Sequence, residues 1–151
     1  MALSPADELL THQTPETFDQ VYTSDRNFYD RHYFNMHSKS EELFVVFGMG
    51  QYPNLGTTDA FVCIVYQGKQ RVLRASRELG PDRSDTSIGP FSVEVIEPLK
   101  QMRIACEDNE HGISFDLLFT GSGPAFEEPR TLMRKYARIT MNTSRYTQMG
   151  R

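Results

Sequence analysis

Ala60-Phe61-Val62-Cys63-Ile64-Val65-Tyr66, then Gln67-Gly68-Lys69-Gln70, then Arg71-Val72-Leu73-Arg74-Ala75-Ser76-Arg77 is the stretch that decides the fold. The first run is apolar at successive positions and rich in β-branched and aromatic side chains, which fit a pleated surface better than a helix. The glycine-containing turn then joins it to a second run of the same length, and that spacing predicts a β-hairpin. Upstream, Leu43-Phe44-Val45-Val46-Phe47 is a shorter strand-like run, read as closed by Gly48 and Gly50. Its composition again favours strand.

Downstream the period of two becomes cleaner. Phe91, Val93 and Val95 alternate with Ser92 and Glu94, and Glu97-Pro98-Leu99 interrupts them. Met102, Ile104 and Cys106 then alternate with Gln101, Arg103 and Ala105. After the polar turn 107–112, Ile113, Phe115, Leu117 and Phe119 repeat the pattern up to Gly121-Ser122-Gly123-Pro124. Five or six strands on short connections, with no helical segment between them, predict an all-β fold. The expected form is an antiparallel lipocalin-like barrel or a curled meander sheet with little helix. At the N-terminus, Ser4 before Pro5, with Asp7 and Glu8 following, predicts a short helix start. Residues 125–151 mix scattered apolars with Glu127, Glu128 and six basic residues, a pattern open to a surface helix, a covering loop or a late edge strand.

With 151 residues, one domain with a sizeable core is expected, residues 1–24 as a preamble and 25–151 as a single β domain. A net charge of −4 and a pI near 5.5 argue against strong attraction to nucleic acid or to an anionic membrane, so no nucleic-acid partner is expected. No apolar run approaches the roughly 20 residues that span a bilayer, so no membrane span is expected and the chain is assigned to the cytoplasm. Cys63 and Cys106 both lie within apolar runs and are read as buried thiols.

The chemistry-bearing stretch is 25–35, Asp-Arg-Asn-Phe-Tyr-Asp-Arg-His-Tyr-Phe-Asn, whose two Asp-Arg pairs and four aromatics lead into the strands. The acids and arginines there are read first as salt bridges that hold the segment, since a carboxylate beside an arginine is a poor proton donor. His12, His32 and His37 lack second ligands at a useful spacing, so no metal site is expected. The glycine pairs 48/50 and 121/123 precede no helix and are read as turns, not phosphate loops. No Gly-x-Ser-x-Gly elbow occurs, and no cofactor is expected.

Arg26-Asn27-Phe28-Tyr29-Asp30-Arg31-His32-Tyr33-Phe34-Asn35, the segment Phe47-Gly48-Met49-Gly50-Gln51-Tyr52-Pro53-Asn54 and the closing Arg145-Tyr146-Thr147-Gln148-Met149-Gly150 resemble the N-terminal part of a bacterial family of uncharacterised proteins. That family is similar, more distantly, to the tandem lipocalin-like barrels of the hydroxyneurosporene synthase (carotenoid hydratase) type. The resemblance implies the first half of a protein about twice this length, with a second barrel as partner. It further implies proton-initiated hydration or cyclisation of an isoprenoid, for which Asp25, Asp30, Tyr29 and Tyr33 are the clustered candidates.

Two classes of function follow. One is binding of an apolar small molecule, a lipid or isoprenoid, in a barrel cavity, with Phe28, Phe34 and Tyr52 as candidate ligand contacts and a desolvated carboxyl as acid if chemistry occurs. Its motive is the pair of strands apolar on both faces, and an interior filled by Phe and Met would remove it. The alternative is a structural or interaction half-domain that docks on a second barrel or forms a homo-oligomer. An exposed apolar patch would favour that class.

Overall fold

The structure is a computed structural model and describes residues 3–151. Among them, helix is confined to two 3-10 turns, Pro5–Glu8 and Pro53–Leu55, and the remaining regular secondary structure is antiparallel strand. Of the barrel and the curled meander, it is the meander that forms: the strands make open sheets, none of which closes on itself. No helix among the described residues is long and apolar enough to cross a membrane.

The chain divides into two compact units, Met1–Ser92 with Cys106–Ser114, and Val93–Ala105 with Phe115–Arg151. The first is built on a four-stranded meander, β1 (Asp30–His37), β2 (Leu43–Tyr52), β3 (Thr57–Tyr66) and β4 (Lys69–Glu78), paired in sequence order. The predicted hairpin is β3 and β4. Gln67 and Gly68 both take positive φ, 48° and 73°, as the type I′ turn matching strand twist requires.

Two expectations are corrected here. The 25–35 segment does not merely lead into the strands, because from Asp30 onward it is itself the edge strand β1, in register with β2 from Asp30↔Gln51 to His37↔Phe44. Gly48 and Gly50 form no turn but lie inside β2, which runs on to Tyr52. Both errors share a cause. Strand alternation persists through these residues, but polar and aromatic side chains on β1, and absent ones on β2, hide the hydrophobic signal that marks a strand.

Register assigns the faces. Phe34, Phe47, Val62 and Leu73 are cross-strand partners on the inner face, with Met49 and Ala60 in the next row. Phe47 and Val62 are fully buried, and the Phe47 ring meets that of Phe91 edge-on at 5.7 Å between centroids. Burying aromatic and aliphatic side chains of this size contributes about 1.5–3 kcal/mol each and accounts for the stability of the meander. The buried Thr58 hydroxyl donates to the Gly50 carbonyl at 2.8 Å, satisfying the polar group that this interior holds.

Three further strands follow the meander, β5 (Ser87–Ile88), β6 (Phe91–Glu97) and β7 (Gln101–Cys106), and with β8 (Phe115–Thr120) they form a second four-stranded sheet in sequence order. Residues 125–151, open in the sequence, are strand. β9 (Phe126–Glu127) pairs with β12 (Tyr146–Thr147), and β10 (Thr131–Lys135) pairs with β11 (Arg138–Thr143). In the second unit Gln148 donates to the carbonyls of Leu99 at 2.6 Å and Gly123 at 3.0 Å, anchoring the closing segment.

Candidate functional site

The outer face of the meander is the opposite parity of the same strands. Arg31, Gly50, Asp59 and Ser76 are cross-strand partners in one row, and Tyr33, Gly48, Phe61 and Arg74 in the next. Beyond them Val46, Cys63 and Val72 form a third row. Because positions 48 and 50 carry no side chain, neighbouring rings lie down over the backbone: an added Cβ would meet Phe61 at 2.4 Å from Gly48 and the Tyr52 hydroxyl at 2.9 Å from Gly50. A period-two glycine pair in a strand is the sequence signal for such a floor.

The result is a half-open hollow of about 420 Å³, lined by Arg31, Asp59, Phe61 and Arg74 over the two glycines. Arg31 donates from Nη2 to the Tyr52 hydroxyl at 2.8 Å, and its guanidinium carbon lies 5.1 Å from the centre of the Tyr29 ring. The Tyr52 hydrogen bond, with the attraction of Tyr52, Tyr29 and Asp59, raises the Arg31 pKa above its ordinary value despite partial burial. Asp59 and Arg74 form no ion pair among the described residues. Around this polar centre the face is apolar and open, with Tyr33 57%, Val72 47% and Phe44 43% exposed.

The candidates named from sequence are distributed as follows. Tyr29, Tyr33 and Tyr52 gather on or beside this outer face, with Arg31 linking Tyr29 to Tyr52. Phe34 belongs to the inner face, where its ring packs 6.3 Å from that of Phe47. Phe28 is half-buried against Tyr22, edge to face at 5.9 Å. Asp25 organises a turn, its carboxylate accepting the Asn27 amide at 2.8 Å and its carbonyl accepting from Asn54 at 2.8 Å. Asp30 is ion-paired with Arg83, and its side chain is 61% exposed. Neither carboxyl is enclosed by aromatics, and the salt bridge joins Asp30 to a residue 53 positions away rather than to the arginines of its own segment.

Asp59, Phe61 and Arg74 were not singled out from sequence. Each sits in an ordinary amphipathic strand, and only the register of β2, β3 and β4 brings them to one place. Cys63 is on the same outer face and half-buried, whereas Cys106 is fully buried and free. Burial raises the Cys106 pKa above the usual thiol range.

An open antiparallel meander with a filled inner face and a glycine-floored outer face of arginine and aromatics defines an all-β protein whose exposed sheet surface is its distinctive feature. The chain belongs to a family of unknown function, DUF8625, whose profile matches residues 3–151. No curated protein and no solved structure matches it.

Proposed function

We propose that this chain is an interaction module, and that the outer face of β1–β4 packs against the same face of a second copy. The observation that carries the proposal is the pairing of chemistry on that face. Asp59 and Arg74, each without an ion-pair partner among the described residues, flank Phe61 within an exposed field of Tyr33, Phe44 and Val72. Arginine and aromatic side chains are enriched in protein interfaces, and contiguous apolar surface on a sheet favours being covered. A two-fold axis lying in the face between Asp59 and Arg74 sets each Arg74 opposite the other copy's Asp59, the self-complementarity that an isologous dimer needs.

Size sets the strength. Four strands about 4.8 Å apart and eight residues long make a face of roughly 19 by 27 Å. That is near the lower end of stable interfaces, so a reversible, concentration-dependent dimer is expected. Both cysteines are free, which supports a reducing compartment such as the cytoplasm.

The hollow supports a second reading, in which an amphipathic lipid or isoprenoid lies with its polar end at Arg31 and Arg74 and its chain over Phe61 and Val46. The likeness to tandem lipocalin-like barrels, with a second barrel as the cover of this face, belongs beside that reading. The exposed, ion-paired Asp30 lends no support to proton-initiated chemistry there.

Native mass spectrometry of the purified chain separates these. A dimer in equilibrium with monomer is the expected result. A monomer retaining a few hundred daltons would replace the dimer with the ligand reading, and a bare monomer at every concentration would leave neither.

A further inference from the structure

The charge of this chain is divided along its length. Residues 129–151 hold six of the 16 Lys and Arg residues and none of the 20 acids, so a segment of net charge +6 follows one of −10. Asymmetry of this kind marks a contact with an anionic partner. The fold concentrates it. Arg134, Lys135 and Arg138 cluster at the tip of the β10–β11 hairpin, around the turn residues Tyr136 and Ala137, and none of the three makes an ion pair among the described residues. By contrast Arg130 is bonded to Asn142, and Arg145 to Glu128.

Apolar side chains accompany the cations. Tyr136 is 94% exposed at the tip, and Leu132, Met133, Ile139 and Met141 are each about half exposed along the two strands. Met133 and Met141 are direct cross-strand partners. An isolated two-stranded ribbon has no interior for such residues. Tyr136 also holds φ at 56°, a conformation that favours glycine or asparagine, so a large aromatic stands where the backbone alone would not choose one.

We infer that the β10–β11 hairpin docks on an anionic lipid bilayer surface, with Tyr136 and the flanking aliphatic side chains in the interfacial layer and Arg134, Lys135 and Arg138 among the headgroups. A nucleic acid or an acidic protein would satisfy the cations. The aliphatic side chains favour the bilayer, since a phosphate backbone leaves them in water while the interface buries them. Each basic residue near such a surface is worth roughly a fivefold gain in partitioning, so removing the three tip cations is expected to cost on the order of a hundredfold.

The test is flotation of the full chain with vesicles of phosphatidylcholine alone and of phosphatidylcholine mixed with anionic phosphatidylglycerol. The expected result is binding to the anionic vesicles only, weakened by salt, and lost in the triple variant R134S/K135S/R138S. Tyr136→Gly supplies an independent control for folding. It relieves the positive-φ strain, so the melting temperature should hold or rise while vesicle binding falls severalfold. No binding to anionic vesicles, or binding unaffected by either variant, would overturn the inference. Binding to single-stranded RNA in place of vesicles would overturn it equally.

Discussion

The Phe61 ring occupies the space that a side chain at position 48 would need, its Cε1 only 2.4 Å from where a Cβ on Gly48 would stand. The two residues are direct cross-strand partners, and the contact fixes the ring flat over the outer face. Gly48→Ala should therefore lift the ring, at a cost of about 1 kcal/mol or more. In a Phe61→Ser background the same substitution should cost almost nothing. Urea denaturation of the four chains in this double-mutant cycle measures the coupling, and additive effects would show that the ring is not held by the glycine.

Asp7 is the anchor of the N-terminal segment. His12 Nε2 lies 2.8 Å from its carboxylate, and the Ser4 and Phe18 amides donate to the same group. The His12 contact first, then the Ser4 amide, lowers the Asp7 pKa from 3.8 to about 2. A carboxyl depressed on folding stabilises the fold above its unfolded pKa and ceases to do so as pH falls through its folded one. The segment should thus stay ordered down to about pH 4 and loosen as the pH approaches 2. The Phe18 amide resonance should titrate with a midpoint of about 2. Asp7→Asn should abolish that titration and leave residues 4–18 protease-sensitive at every pH.

The cysteines should differ in reactivity. Cys106 is fully buried, its Sγ donating to the Ile113 carbonyl at 3.3 Å, and burial holds its proton on. Cys63 is half-buried on the outer face. A maleimide should label Cys63 in the native protein and reach Cys106 only on unfolding. Protection of Cys63 at high protein concentration would report coverage of the face. Equal labelling of both thiols in the native state would contradict the assignment of faces.

Much of this architecture was legible in the residues. The β3–β4 hairpin, the alternating strands now β6 to β8 and the capped start at Ser4 follow from hydrophobic period, turn composition and proline position, which are local signals. Edge strand β1 was missed because Arg31, His32 and Tyr33 give no contrast between its two faces. The β10–β11 hairpin stayed open for the same reason, with Met133 beside Arg134 and Ile139 after Arg138 leaving both faces mixed. The outer-face cluster was beyond local reading altogether. Asp59 and Arg74 are brought together by cross-strand register, a long-range property that no short stretch carries. Tyr29, Tyr33 and Tyr52 were singled out for their chemistry, and they do share that face, whereas Asp25 and Asp30 serve a turn and a salt bridge.

Sedimentation equilibrium of the wild-type chain, Asp59→Arg, Arg74→Asp and the double charge reversal tests the outer-face dimer most directly. Each single reversal sets like charges against each other across the two-fold axis and should weaken association at least tenfold, since such juxtapositions cost several kcal/mol. The double reversal restores the pairing with its signs exchanged and should return most of the lost association. A wild-type chain that stays monomeric, or a double variant no better than the singles, would contradict the pairing of Asp59 with Arg74 between copies.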